Sequence, residues 1–165
     1  MKPILTIGMA TYDDYDGVYF TGQSIRLYHP EVTAETEILV VDNHPEGPCA
    51  EELRSLQNWI GGYRYFPWNR TSGTSIRDLV FREAKGDYVL CTDSHVLFTP
   101  GSLRKLIDYF NAHPETLDLL QGSLLYDDLR TISSHMEPRW STGMCRDSYT
   151  VESAHPLCVV SSRDR

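Results

Sequence analysis

Asp93-Ser94-His95 sets a carboxylate and an imidazole two residues apart at the end of an apolar run, Tyr88-Val89-Leu90-Cys91-Thr92, after which Val96-Leu97-Phe98 resumes apolar character. In an extended segment residues i and i+2 point the same way, so Asp93 and His95 could share one divalent ion; Mn²⁺ and similar metals accept mixed oxygen and imidazole ligands. Strand ends of α/β proteins open onto the ligand crevice, where such an ion would meet a phosphate. The same three residues are also compatible with an aspartate capping a turn beside a surface histidine.

Three further groups could carry chemistry, two of them where apolar runs stop. Asp42-Asn43 follows Ile38-Leu39-Val40-Val41, and its carboxylate could accept hydrogen bonds from a base or ribose, or could form an Asx turn into His44-Pro45. Thr11-Tyr12-Asp13-Asp14 follows the run Ile4 to Met9; Tyr12 could stack on a base that an Asp orients, or the acids could cap a helix. Arg77 lies one turn beyond Ser72-Gly73-Thr74, within reach of a phosphate or base carbonyl, or exposed on a helix.

The elements that must position these groups are legible from periodicity. Strands are expected at Ile4 to Met9, Glu37 to Val41, Tyr63 to Phe66, Tyr88 to Thr92 and Leu117 to Leu125, with helices between most of them, which argues for a mainly parallel sheet. The helices are expected over Gly17 to Tyr28, from Pro48 to Ile60, from Ser72 or Thr74 to Lys85, and from Pro100 to a stop before Pro114. Residues Asp127 to Asp147 show little periodicity and are expected to form a long loop, with Trp140 as a candidate lid aromatic. Ser161 to Arg165 reads as a frayed tail.

The bulk numbers narrow the class. A chain of 165 residues with 41% hydrophobic and 23% charged content fits one soluble domain, residues 1–165. No apolar run approaches the roughly 20 residues that span a bilayer. The start, Met1-Lys2-Pro3 running into Ile4-Leu5, reads as a strand and not as a secretory leader. A net charge of −8 with scattered Lys and Arg argues against a nucleic-acid footprint. An anionic substrate then needs local help from a metal, a helix terminus or placed arginines. Cys49, Cys91, Cys145 and Cys158 show no C-x-x-C pair, so reduced thiols and a cytoplasmic location are expected. Asn69-Arg70-Thr71 matches a glycosylation acceptor pattern that matters only in a secreted protein.

The order of these parts resembles the nucleotide-sugar glycosyltransferases of the GT-A fold, particularly the large inverting family two and the related polypeptide N-acetylgalactosaminyltransferases. Ile4 to Tyr12 is similar to the opening strand with its Thr-Tyr turn, and Ile38 to Asn43 to the second strand ending in an acid. Arg77-Asp78 followed by Ala84-Lys85-Gly86-Asp87-Tyr88-Val89 resembles the family's Arg-Asn and Ala-x-Gly-(acid)-Tyr run, with Asp78 where the family carries Asn. Asp93-Ser94-His95 stands at the place of the metal-binding D-x-D, in the form similar to the N-acetylgalactosaminyltransferases.

The resemblance implies a Rossmann-like GT-A α/β sandwich in which residues 3–125 form the donor half and residues 126–165 a loop and a shortened acceptor side. It implies metal-dependent transfer of a sugar from a nucleoside diphosphate, UDP by preference, to an acceptor that is a saccharide, a lipid or a protein. Thr11, Tyr12, Asp14, Asp42, Arg77, Asp93 and Ser94 would hold the donor. Asp93 and His95 would bind Mn²⁺ or Mg²⁺, with His135 a candidate third ligand. The family's later Glu-Asp general base has no counterpart, which leaves Asp127 and Asp128 as candidates and, as the alternative, a catalytically incomplete donor-binding module or a fragment of a longer glycosyltransferase. A nucleotidyltransferase is disfavoured, because no glycine-rich phosphate loop follows the first strand.

Overall fold

The structure, a computed structural model, describes residues 2–71, 73–117, 119–120 and 160–162. Along the chain run β1 (Leu5–Thr11), α1 (Tyr15–Tyr28), β2 (Thr36–Asp42), α2 (Ala50–Ser55), β3 (Tyr63–Pro67), α3 (Arg77–Glu83), β4 (Tyr88–Thr92), α4 (Ser102–Ala112) and β5 (Val160–Ser162). The strands form one sheet in the order β3-β2-β1-β4-β5. β1 to β4 are mutually parallel, and β5 closes the edge antiparallel to β4.

Period-two alternation explains why helices cover both faces. Leu5, Ile7, Met9, Ile38, Val40 and Leu90 point to one side, where they are buried with Val18 and Ile25 of α1, Leu53 of α2, and Leu103, Leu106, Ile107 and Phe110 of α4. Leu39, Val41 and Val89 point the other way and pack on Leu79 and Val80 of α3 with the flanking Ile76 and Ala84. Each fully buried aliphatic side chain contributes about 1.5–3 kcal/mol. A one-residue slip of β1 or β2 would exchange the two faces and press Thr6 or Glu37 against the larger apolar cluster, so burial fixes the register.

The four parallel strands lie where the apolar runs place them, and α1 fills the expected span with an added first turn. Differences fall at the boundaries. The helix expected from Pro48 begins at Ala50 and tightens into a 3-10 turn at Leu56–Asn58. The helix expected from Pro100 begins at Ser102, because Gly101 takes a positive φ of 76° that interrupts helical geometry. The third helix is shorter than expected: Thr74–Ile76 is a 3-10 turn, and Ala84 turns extended at ψ 141°. The strand expected at 117–125 is not the sheet's fifth strand. Its described residues 117 and 119 are irregular, Leu120 makes only an isolated bridge, and the others lie outside the described residues. The edge place belongs to Val160–Ser162, which corrects the frayed-tail reading for Ser161 and Ser162: β4 offers a row of free backbone donors and acceptors that a strand can satisfy.

A buried polar knot secures the end of the sheet away from the ligand crevice. Glu37 of β2 accepts hydrogen bonds from Thr6 Oγ1 (2.7 Å), Arg64 Nε (2.7 Å) and the Lys85 N–H (3.0 Å). Thr6 Oγ1 in turn accepts from the Gly86 N–H at 2.8 Å. Three strands and the turn leading into β4 are thereby held together where α3 ends.

Candidate functional site

Register aligns the carboxyl ends of the strands: Thr11 lies opposite Asp42, Asp42 opposite Pro67, and Met9 opposite Thr92. Sequence order runs outward from β1 to β3 on one side and jumps to β4 on the other. The crevice at that switch point, between the ends of β1 and β4, is where open α/β sheets bind ligands.

Asp14 is the hub on the β1 side. It caps α1, its Oδ1 accepting the Gly17 N–H at 3.0 Å. A Cβ on residue 17 would sit 2.2 Å from Asp14 Oδ2, so the carboxylate can lie over the helix end only because that residue is glycine. Asp14 Oδ2 also accepts from Ser94 Oγ and lies 3.4 Å from His95 Nδ1. Burial alone would raise its pKa, but the hydrogen bonds from Ser94 and Gly17 and the neighbouring His95 outweigh that and hold it below the ordinary aspartate value. One carboxylate thus joins the start of α1 to the turn after β4.

Thr21, fully buried about two helical turns further on, fastens the same turn from beneath. Its hydroxyl donates to Ser94 O at 2.7 Å and accepts the Val96 N–H at 3.0 Å. Replacing it with valine keeps the shape and strands both backbone groups. Thr21→Val is therefore expected to lower stability by about 1–3 kcal/mol and to weaken donor binding as Ser94 and His95 lose their support. Urea unfolding and nucleotide titration on the same preparation check both.

Asp93 takes a different partner. Its carboxylate pairs with Arg77, the first residue of α3, at a half-exposed position. The chain leaves strand geometry after Thr92 and turns at Ser94-His95. The alternation expected of an extended segment therefore stops one residue too early to aim Asp93 and His95 alike. Asp93 goes to the α3 side and His95 to the α1 side. Among the described residues no three His, Cys, Asp or Glu side chains converge on one point. The oxygen of Asp93 and the imidazole of His95, 72% exposed, are nonetheless donor types that a divalent ion accepts. Burial pushes the thiol of Cys91, the residue before Thr92, up despite Arg77 nearby.

Across β2, Asp42 is wholly buried. Its Oδ1 accepts the His44 N–H at 2.9 Å, the Asx turn considered from the sequence, and its Oδ2 accepts Tyr65 OH at 2.6 Å. Burial first, and then this bond, push the Tyr65 phenol up, so it stays a neutral donor. Thr11 Oγ1, at the end of β1, is buried without a hydrogen-bond partner among the described residues. Tyr12 beside it is 64% exposed.

The structure therefore brings Asp14, Ser94 and His95 together, pairs Arg77 with Asp93, and sets Thr11, Tyr12 and Asp42 along the β1 and β2 ends. Asp127, Asp128, His135 and Trp140 lie outside the described residues. Sequence reasoning missed Thr21, His44 and Tyr65. Of these, only Tyr65 carried a signal, as the second inward aromatic of Tyr63-x-Tyr65. A half-open cavity of about 230 Å³ lies at the opposite end of β2, lined by Ile25, Arg26, Ile38 and Ile60, and is remote from these groups. No helix among the described residues is long and apolar enough to cross a membrane.

Comparison with known proteins bears on the family and the fold. The family model described as Glycosyl transferase family 2 matches residues 6–158. The dolichol-phosphate mannosyltransferase of Saccharomyces cerevisiae is 31% identical over 91 residues, covering 53% of this chain and 33% of that one. The chain thus spans about a third of the curated relative it matches. Among solved structures, Staphylococcus aureus TarS 1-349 in complex with UDP-GlcNAc superposes with a TM-score of 0.65 at 18% identity, over 84% of this chain and 39% of that one. The mannosyltransferase PcManGT from Pyrobaculum calidifontis, in complex with GDP-Man and Mn²⁺, gives 0.59 at 14% identity, over 75% and 36%. At such identities the likeness is one of fold, and the fold is that of the GT-A glycosyltransferases: a parallel four-stranded sheet between helical layers.

Proposed function

The chain belongs to glycosyl transferase family 2, and from that premise we propose that it transfers a sugar from a nucleoside diphosphate, with UDP as the nucleotide, to a saccharide, lipid or protein acceptor. The observation that carries this reading is the pair of side-chain clusters at the switch point, Arg77 with Asp93 and Asp14 with Ser94 and His95. It gathers a guanidinium, two carboxylates and an imidazole where a diphosphate would lie. The complexes of TarS with UDP-GlcNAc and of PcManGT with GDP-Man and Mn²⁺ support a nucleotide-sugar donor. The complex of TarS with UDP-GlcNAc is what supports UDP as the nucleotide.

In this reading Thr11 offers its unpartnered hydroxyl to the nucleoside and Tyr12 its open ring face. Asp42 serves the same ligand through the Tyr65 hydroxyl and the His44 turn that it fixes. Asp93 and His95 would hold Mn²⁺ or Mg²⁺, which supplies charge neutralisation for the departing diphosphate. Arg77 exchanges Asp93 for a phosphate oxygen and adds a second positive charge there. Ser94 and Asp14 keep the imidazole of His95 in place. Transfer with inversion needs a base on the far side of the sugar. Asp127 and Asp128 are the candidates, within a single domain whose residues 3–125 form the donor half. Because the chain spans about a third of its curated relative, a donor-binding module without turnover is the second reading.

Calorimetric titration with UDP, UDP-GlcNAc and GDP-Man, in Mn²⁺ and then in EDTA, tests the proposal. Metal-dependent binding of UDP and its sugar is expected, and a folded chain that binds no nucleotide would overturn it. Release of UDP from the bound donor separates an enzyme from a module.

A further inference from the structure

His44 has no role in the account so far beyond its backbone N–H, yet its side chain joins two loops. The imidazole lies flat against the Tyr12 ring, with centroids 4.7 Å apart and 10° between the planes. Its Nδ1 is 2.6 Å from Asp13 Oδ2, so Nδ1 carries a proton and donates it to the carboxylate. Asp13 itself holds a positive φ of 51°, a conformation that costs a residue with a Cβ energy and persists only where surroundings enforce it. The fit is close on the other side as well: a Cβ on Gly47 would lie 2.2 Å from Asp13 Oδ1 and 2.5 Å from His44 Nδ1. Two loops, one after β1 and one after β2, are thus drawn together on a single ring pair. Tyr12 remains mostly open to solvent in spite of that stack.

We infer that His44 is a positioning residue for the base of the donor nucleotide. It pins one face of Tyr12 so that the other face is presented, already oriented, as a stacking platform. This rests on the nucleotide-sugar reading above and adds to it the residue that sets base affinity. The strained Asp13 backbone and the glycine at position 47 then have a common purpose, because both serve to bring a carboxylate onto His44. A ring held in place loses little freedom when a base stacks on it, and stacking is tolerant of which base arrives. The opposite arrangement, in which His44 occupies the base's own place on Tyr12, makes the contrary prediction that removing it tightens binding.

The test compares wild type, His44→Ala and His44→Phe, titrated with UDP and separately with inorganic diphosphate in the presence of Mn²⁺. His44→Ala is expected to weaken UDP roughly tenfold, as loss of a stacking support does, and to leave diphosphate affinity unchanged. His44→Phe restores a ring without the bond to Asp13 and is expected to recover most of the UDP affinity. Equal or tighter UDP binding by His44→Ala overturns the inference and leaves the nucleotide-sugar reading intact. Parallel loss of UDP and diphosphate, unrescued by phenylalanine, also overturns it, since that is the signature of a general disturbance. A folded wild type that binds neither ligand overturns the reading and the inference together.

Discussion

Asp93→Ala is expected to slow sugar transfer by about 100-fold or more, the usual scale for removing a group that stabilises developing charge, and His95→Ala to do the same. Both side chains are substantially exposed, so neither substitution opens a cavity in the core, and thermal unfolding should shift little. The two losses differ in kind. Without Asp93, Arg77 loses its partner and is free to engage phosphate from the start, so some donor affinity should survive while the response to Mn²⁺ disappears. Without His95, Asp14 keeps Ser94 and its helix-capping bond, and the Mn²⁺ response should move to higher metal concentration. Initial rates measured across a Mn²⁺ series, with UDP release as the readout, distinguish the two. Transfer that stays metal-dependent at the wild-type midpoint in both variants would remove Asp93 and His95 from the site.

Glu37→Ala is expected to cost about 3 kcal/mol of folding stability, the low end for breaking a buried ion pair, since Arg64 keeps some access to water. The substitution leaves the Arg64 guanidinium, the Thr6 hydroxyl and the Lys85 N–H without the carboxylate that satisfies them. A urea midpoint that falls with an unchanged slope measures the loss. Replacing Glu37 and Arg64 together by methionine should recover much of it, because the penalty lies in the stranded partner. The pair also gives acid sensitivity with a definite sign. Burial would raise the pKa of Glu37, yet the bonds from Arg64, Thr6 and Lys85 with the Arg64 charge hold it below the ordinary glutamate value of 4.5. A carboxylate depressed by folding contributes its stability fully above the unfolded value and loses it as pH falls through the folded one. The wild type should therefore lose stability below about pH 4.5 more steeply than Glu37→Gln.

Backbone elements were legible because their cause is local. The run Tyr88 to Thr92 is largely apolar and stops at a polar group, and the strand has those bounds. The helix beginning near Gly17 shows its apolar stripe in its own residues. Side-chain partnerships were not legible, because each depends on residues that only the fold brings together. Nothing around Glu37 in the chain distinguishes a buried carboxylate from a strand-end acid, since its partners Thr6, Arg64 and Lys85 come from three other segments. The Asp14 to Ser94 bond joins the first strand's exit to the fourth's in the same way. Asp93-Ser94-His95 was found by its residue types, whereas its partners, Arg77 for Asp93 and Asp14 for His95, follow from a turn past the last strand residue, where alternation is no guide. His44 escaped notice because its meaning comes from Tyr12 and Asp13, which precede it by a whole strand and helix.

The antiparallel strand β5 bears on how the chain is made as well as on how it rests. During synthesis β1 to β4 can assemble as soon as Thr92 has emerged, since all their pairings lie within that length. One side of β4 must then wait for Val160 to Ser162. Until those residues arrive, the strand that delivers Asp93 is an open edge, and open edges invite pairing with other chains. How long this edge stays open on the nascent chain is therefore set by the distance in sequence between β4 and β5.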